Sequence, residues 1–325
     1  MTEEDILQKV YKKEYLEGNY EKSETPDFII TDPTNKIRFG VEITTLYNSQ
    51  ASAIMRHDNF NDNFIDNNKP DSLRNKKKKM PKYLRQLKVA KVEGDSKFVH
   101  KEHVIWFISN TSDFFDFFEN IIKKKNDSYD TLDNLEFVNL IAMDEDNFVK
   151  HNKIEPGAIY GYLRKHSLFE TIISSNFQEI FLISEFHSGL YNIPLKWYVF
   201  KNEYELFKKF WNEKINISQN QRDNIDLMLK NFCVCLIHLG FKGVYFFYDK
   251  SGNKYIVFGN TYWKINLKKK TINEKYFIGK GLEKKTEMRA ILTNHEKYDN
   301  IFGQYMNYRN TIVPKFENDV FIHLS

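Results

Sequence analysis

The chain has 325 residues, of which 41% are hydrophobic and 28% charged, and its formal net charge at pH 7 is +4. This apolar content excludes a disordered protein, and the length allows a buried core in one large domain or two smaller ones. The sequence lacks an 18-residue apolar run and begins with charged residues instead of a signal-peptide pattern. It therefore predicts a soluble, cytoplasmic protein that does not enter a membrane.

The first elements predicted along the chain are a helix and a β-hairpin. Thr2 is followed by acidic residues, as expected of an N-capped helix, which we predict within residues 2–20 with its end near Gly18-Asn19. The apolar run 28–30 and the strand-like segment 37–44 flank the polar residues 31–36, where Asp, Pro and Asn are typical of a turn. These two strands would form a hairpin.

Two carboxylates would lie at one edge of this hairpin. Asp27 directly precedes the first strand and Glu42 lies in the second. Carboxylates held together bind a hard divalent cation such as Mg²⁺ or Mn²⁺, which takes oxygen ligands and keeps several waters. The Ile43 carbonyl would add a third oxygen ligand, and Glu17 could join through a water. The Thr44 hydroxyl could hydrogen-bond to a water that the cation activates. The alternative is a surface hairpin with a turn-initiating Asp and an exposed Glu.

A basic segment follows the hairpin after a stretch rich in Asn, Asp and Lys. Residues 74–91 contain nine Lys or Arg residues and no acid. Such a block can neutralise several phosphates and bind nucleic acid without sequence preference, or it can be a solvated lysine-rich loop. Residues 81–94 are predicted to form a helix, with Lys82, Arg85 and Lys88 on one outward face. The predicted nucleic-acid contacts here are Arg74, Lys76, Lys77, Lys78, Lys79, Arg85 and Lys88.

The later elements predict an α/β fold, with a mixed central sheet flanked by helices and an α+β carboxy-terminal region. Short apolar runs predict buried strands, and longer amphipathic segments predict helices. The predicted strands are 103–109, 136–143 and 179–186, the predicted helices 112–125, 202–214 and 220–240, and the predicted hairpin 243–260. We expect a core domain over residues 1–150 with a basic insertion at 46–102. Residues 151–325 would form a second region for target or partner recognition.

The two cysteines, Cys233 and Cys235, are too close together for a zinc knuckle, and the chain has no second pair. Their apolar neighbours indicate a buried helix in which they are structural.

The segment from Pro26-Asp27 to Glu42-Ile43-Thr44 resembles the core motif of the PD-(D/E)XK nuclease superfamily. The resemblance covers about the first 145 residues and implies a restriction-endonuclease-like core with Asp27 and Glu42 as metal ligands. Thr44 departs from the pattern, because the superfamily has a lysine at that position. Lys82 is the first candidate for a displaced lysine, and Lys79 the second.

The residues after the second strand also resemble a group of bacterial proteins. In that group an acid-x-Thr strand is followed by a Tyr, a helix containing Ser and Ala, and an Arg-His pair. Here the pair is Arg56-His57. This second resemblance implies that Arg56 or His57 lies near the site and can bind phosphate; a plain polar helix face is the alternative.

The resemblance to the PD-(D/E)XK superfamily implies a metal-dependent endonuclease that hydrolyses DNA, in restriction or anti-phage defence. It also leads us to expect that the protein forms a homodimer or binds a partner protein of a defence system. One alternative is a catalytically inactive nuclease-like module that binds nucleic acid or protein. A ribonuclease toxin with the same metal site is another. No sequence feature separates DNA from RNA, because both are contacted first through phosphates.

Overall fold

The computed structural model describes residues 2–33, 36–47, 85–89, 103–108, 110–129, 134–215, 217–241, 243–248, 254–258, 261–266, 271–277, 299–311 and 322–323. The α-helices in these ranges are α1 (Glu3–Val10), α2 (Lys13–Leu16), α3 (Thr111–Asn126), α4 (Phe148–His151), α5 (Ile159–Lys165), α6 (Leu168–Ser174), α7 (Leu195–Glu213), α8 (Gln219–Asp223), α9 (Ile225–His238) and α10 (Asp299–Thr311). The strands are β1 (Tyr20–Lys22), β2 (Phe28–Thr31), β3 (Arg38–Leu46), β4 (Arg85–Val89), β5 (His103–Phe107), β6 (Val138–Asp144), β7 (Ile180–Phe186), β8 (Gly189–Pro194), β9 (Tyr245–Tyr248), β10 (Lys254–Phe258), β11 (Thr261–Asn266), β12 (Thr271–Phe277) and β13 (Ile322–His323).

The main sheet is mixed, and within the described ranges it has the order β1-β2-β3-β6-β7-β8-β13. The β2–β3 hairpin is antiparallel, whereas β3 pairs in parallel with β6, and β6 with β7. The strands β8 and β13 complete the sheet in antiparallel pairing. The predicted hairpin is confirmed, as are the predicted strands near 136–143 and 179–186.

Helices cover both faces of this sheet. Because side chains alternate along a strand, Val41 and Ile43 of β3 face one side and Leu46 the other. The first side packs against α1 and α2, and the second packs against α3, α6 and α7 in the larger core. The predicted α/β class, with a mixed sheet between helices, is therefore confirmed.

The predicted helix over residues 81–94 is wrong, because residues 85–89 form strand β4. This strand pairs antiparallel with β5 in a separate two-stranded sheet. A strand repeats every two residues and a helix every 3.6, so the outward helical face that we predicted for this segment does not form. The predicted strand at 103–109 is confirmed as β5, but it lies outside the main sheet.

Several helix boundaries differ from the predicted ones. Thr2 caps α1 as expected, but this helix ends at Val10 because Tyr11 has an extended backbone, and a short second helix follows. The cap of α3 is Asn110, whose side-chain oxygen accepts the Asp113 amide at 2.9 Å. Asn224 divides the predicted helix 220–240 into α8 and α9. The helix predicted at 202–214 begins earlier, at Leu195.

The carboxy-terminal region continues the main sheet and adds a second one. The strands β7 and β8 follow residue 150 and pair next to β6, so the main sheet extends across the predicted domain boundary. The strands β9 to β12 form a four-stranded antiparallel sheet, in which β9 and β10 form the hairpin predicted at 243–260.

Cys233 and Cys235 are free and buried in α9, as expected, and burial raises the pKa of both thiols. Among the described helices, none combines the length and apolarity that crossing a bilayer requires.

Candidate active site

The β2–β3 register brings the two predicted carboxylates together. The hairpin pairs Phe28 with Val41, so one further step places Asp27 opposite Glu42. Glu42 is two and four residues from Thr44 and Leu46, and these three positions share the face of β3 that packs towards α3. Asp27 and Glu42 are therefore neighbours on the face of the sheet that packs towards α3.

Asp27 lies where the hairpin opens. The paired part of β2 stops at Phe28, but β3 continues to Leu46, so among the described residues no strand pairs with the end of β3 on that side. The Asp27 Oδ2 atom accepts the amide of Ile43 at this edge, with an N···O distance of 2.6 Å. Since the N–H and C=O groups of one strand residue point to the same edge, the Ile43 carbonyl points towards Asp27 as well.

Gly40 allows the segment before Asp27 to pack closely. Pro26 is buried and follows a cis peptide bond from Thr25. A Cβ atom at Gly40 would lie only 2.4 Å from Cγ of Pro26 and 3.0 Å from Cγ2 of Val138. The absence of a side chain at Gly40 thus permits Pro26 to lie across β3, where it fixes the position of the next residue, Asp27.

Both carboxylate oxygens of Glu42 accept hydrogen bonds from protein groups. Lys125, in the last turn of α3, forms an ion pair with Oε1, and the Tyr129 hydroxyl donates to Oε2. Glu42 is only 5% exposed, whereas the Lys125 side chain keeps 35% of its surface exposed. The Glu42 charge is therefore compensated within the fold, and the lysine is accessible from solvent.

The electrostatic environment of Asp27 is different. Its partial burial raises the pKa of the carboxyl to about 6, opposed by the Ile43 amide, while the negative charges of Glu42 and Glu3 raise it further. Lys125 lowers this pKa by the smallest contribution of those acting here. Two neighbouring carboxylates with incomplete compensation form the kind of site at which a cation is favourable.

The structure places only some of the predicted site residues in this cluster. Asp27, Glu42 and Ile43 meet, and Thr44 is partly buried on the same face of β3. Glu17 is exposed at the end of α2, where its carbonyl accepts the Asn19 side chain at 3.1 Å. It has no described contact with Asp27 or Glu42.

The other predicted contacts fall outside the described part of the chain. These are Lys82, Arg56, His57, Arg74, Lys76, Lys77, Lys78 and Lys79. Arg85 and Lys88 belong to β4, of which the backbone alone is described.

Sequence reasoning missed Lys125, Tyr129 and the close approach at Gly40. Lys125 ends a run of three lysines that we interpreted through the helix dipole alone. Its pairing with a residue 83 positions earlier depends on how α3 docks against the sheet. A single glycine inside a strand pattern was an available signal, since it marks a bulge or a close backbone approach.

The donor set suits a hard cation that retains water. No cluster of three or more His, Cys, Asp or Glu side chains occurs among the residues that the structure describes. Two carboxylates and one carbonyl would therefore have to hold the ion, with water as the remaining ligands. Mg²⁺ and Mn²⁺ accept such oxygen sets, whereas structural zinc requires more nitrogen or sulfur ligands.

A separate cleft of about 310 Å³ lies on the opposite face of the sheet, lined mainly by Tyr11, Tyr15, Phe39 and Phe137. None of the predicted site residues lines it.

We compared the chain with known proteins in three ways. No model of a protein family, no curated protein and no solved structure matches it.

Proposed function

We propose that the protein is a metal-dependent nuclease of the PD-(D/E)XK type. In this proposal Lys125 takes the role of the lysine that the superfamily has at the position of Thr44. The observation that carries this proposal is the ion pair between Lys125 and Glu42 beside Asp27. It puts an accessible ammonium group next to two carboxylates, although the two lysines predicted for this role came from another segment. The helix α1, the β2–β3 hairpin, the helix α3 and the strand β6 also occur in the order expected of the core that the resemblance implies, although the third predicted strand, 103–109, lies outside the main sheet as β5.

The roles of the residues follow from their chemistry. Asp27, Glu42 and the Ile43 carbonyl would hold Mg²⁺ or Mn²⁺, which supplies a Lewis acid for the phosphate and lowers the pKa of water. Lys125 would stabilise the negative charge that develops on the phosphate, as preorganised cations do in phosphoryl transfer. The Thr44 hydroxyl would form a hydrogen bond with the attacking water, as donor or as acceptor. In the hydrolysis, water forms one new P–O bond, the ester P–O bond breaks, and the leaving oxygen gains a proton.

DNA is the proposed substrate and host defence the proposed setting, both through the resemblance alone. Nucleic acid would approach Glu42 and Lys125 past the end of α3, where Lys123 and Lys124 are exposed cations. Lys123 forms an ion pair with Glu119, so Lys124 is the better phosphate contact.

A nuclease-like module without activity is the second candidate. The observation that favours it is that Lys125 and Tyr129 already satisfy both oxygens of Glu42, as in a purely structural ion pair. A structural pair needs no cation, whereas an active site must accept one.

Cleavage assays separate the candidates. Plasmid DNA, single-stranded DNA and RNA are incubated with Mg²⁺ or Mn²⁺, using the wild type and the Glu42→Gln and Asp27→Asn variants. We expect cleavage that EDTA abolishes and that both substitutions reduce by at least 100-fold. Cleavage of RNA alone would identify the ribonuclease alternative. Salt-dependent binding with no cleavage of any substrate would contradict the proposal and support the inactive module.

A further inference from the structure

Tyr129 contacts Glu42 from the element that directly follows α3. The helix ends at Asn126, and the 3₁₀ turn Asp127–Tyr129 continues from it. The helix and the turn thus carry two donors, four residues apart, to the two oxygens of a single carboxylate. Tyr129 is 5% exposed and its ring lies against Phe177 with a centroid distance of 5.6 Å. Its hydroxyl is therefore held in place independently of Lys125.

The two donors differ in what else they can do. Lys125 has a long, partly exposed side chain and could turn to a phosphate, whereas Tyr129 is almost fully buried. If Lys125 left Glu42, the buried carboxylate would lose its charged donor. A buried acceptor without a partner is unfavourable, so the side chain would change its rotamer or take up a proton.

We propose that Tyr129 is a positioning residue, which holds Glu42 in its metal-binding orientation while Lys125 moves to the phosphate. This inference rests on the proposed function. Tyr129 would not enter the chemistry itself.

The test uses Tyr129→Phe, which keeps the ring against Phe177 and removes the hydroxyl alone. Mn²⁺ binding is measured by isothermal titration calorimetry, and kcat and KM are measured on DNA. Removing a group that orients a metal ligand weakens metal affinity by roughly 10–100-fold, which is the expected change in the Mn²⁺ dissociation constant. We expect kcat at subsaturating Mn²⁺ to fall in parallel, with KM for DNA unchanged.

Tyr198→Phe is the matched control. The Tyr198 hydroxyl, on helix α7, is also buried, and it donates to the Pro156 carbonyl at 3.1 Å and accepts the Tyr160 amide at 3.4 Å. None of these described hydrogen bonds involves Asp27, Glu42 or Lys125. This variant loses a buried phenol oxygen of the same kind and should bind Mn²⁺ like the wild type. An equal loss in both variants would mean a general effect on stability and would overturn the inference.

A double variant gives a sharper readout. In the Lys125→Met background Tyr129 is the remaining donor to Glu42, so removing its hydroxyl should weaken Mn²⁺ binding by a larger factor than in the wild type. Wild-type affinity and kcat in Tyr129→Phe would overturn the role of Tyr129 and leave the proposed function standing. A wild-type protein that binds no Mn²⁺ would overturn both.

Discussion

Lys125 of helix α3 forms an ion pair with Glu42 of strand β3, across 83 positions of the chain. The pair connects the layer of helices to the central sheet at the point where the β2–β3 hairpin opens. The Glu42 side chain is buried, whereas the Lys125 side chain is partly accessible to solvent. The lysine can therefore stabilise the fold through Glu42 and also contact a substrate.

The first prediction concerns Lys125. Replacement by Met keeps the apolar part of the side chain and removes the charge, so cleavage should fall by roughly 10²–10⁴-fold if the ammonium stabilises the transition state. Lys209→Met is the control, because Lys209 is an exposed lysine of α7 with no described contact to Asp27 or Glu42. Single-turnover cleavage rates of both variants make the comparison. Equal activity of Lys125→Met and the wild type would exclude the proposed lysine.

The second prediction concerns the stability of the metal-free protein as a function of pH. The pKa of Asp27 is raised to about 6 in the fold, from an ordinary value near 3.8. Between these pH values the native state binds more protons than the unfolded state. The contribution of Asp27 to the free energy of unfolding is therefore largest below pH 4 and is lost as the pH rises through 6. Asp27→Asn should remove the loss and be more stable than the wild type at pH 8.

The size of this effect is limited by solvent. Two pKa units correspond to about 3 kcal/mol, but Asp27 is only partly buried, so we expect on the order of 1 kcal/mol. Urea unfolding of both proteins in EDTA at pH 4.5 and pH 8 measures it. A difference that is the same at both pH values would contradict the raised pKa.

The third prediction links this carboxyl group to the cation. Asp27 must be ionised to act as a ligand, so Mn²⁺ should bind more weakly as the pH falls below 6. At a concentration 100 times its dissociation constant, a cation that binds only the native state adds about 2.7 kcal/mol of stability. The melting temperature should therefore rise with Mn²⁺ at pH 7.5 and much less at pH 5. Asp27→Asn should show little rise at either pH.

The fourth prediction tests the packing of Pro26 against Gly40. In Gly40→Ala the added Cβ would meet the Pro26 ring at 2.4 Å, so the residues before Asp27 must move. Overpacking of this kind costs about 1–3 kcal/mol, and cleavage should fall with it because Asp27 is displaced. Gly161→Ala is the control, since α5 leaves open space around that glycine and alanine favours a helix. Unchanged stability of Gly40→Ala would refute the tight contact.

The fifth prediction concerns a buried ion pair in the carboxy-terminal half. Arg309 of α10 donates from Nε and Nη2 to the Glu203 carboxylate of α7, at 2.9 and 2.6 Å, and Tyr160 and Tyr305 donate to it as well. Arg309→Met leaves this carboxylate buried without its cation, so the free energy of unfolding should fall by roughly 3–5 kcal/mol. Lys208→Met, which removes a partly exposed partner of Glu205 on α7, should have a much smaller effect. Similar losses in both variants would count against the assigned burial cost.

The sequence predicted the parts of the fold that depend on local patterns. The β2–β3 hairpin has alternating apolar residues around a turn of Asp, Pro and Asn, and it brings Asp27 and Glu42 to adjacent positions. Residues 85–89 were mispredicted, because a five-residue segment with Leu87 and Val89 as its apolar residues is too short for its periodicity to separate a helix from a strand.

The part of the site that the sequence did not predict depends on tertiary packing. The motif indicated that a lysine was missing at Thr44, but the basic block at 74–91 was the nearest source along the chain. Lys125 and Tyr129 reach Glu42 because α3 lies over the sheet with its last turn above β3. No local periodicity encodes that docking.

The Glu203 cluster has a consequence for how the chain folds as it is made. Helix α7 leaves the ribosome about one hundred residues before α10, which carries the neutralising Arg309. At a translation rate of roughly 5–20 residues per second, at least several seconds pass between the synthesis of Glu203 and that of Arg309. Until then the Glu203 carboxylate favours contact with water over burial, so the apolar face of α7 cannot close fully. We therefore expect the larger core to complete its packing late in synthesis, with the nascent chain exposed to chaperones and proteases in the interval.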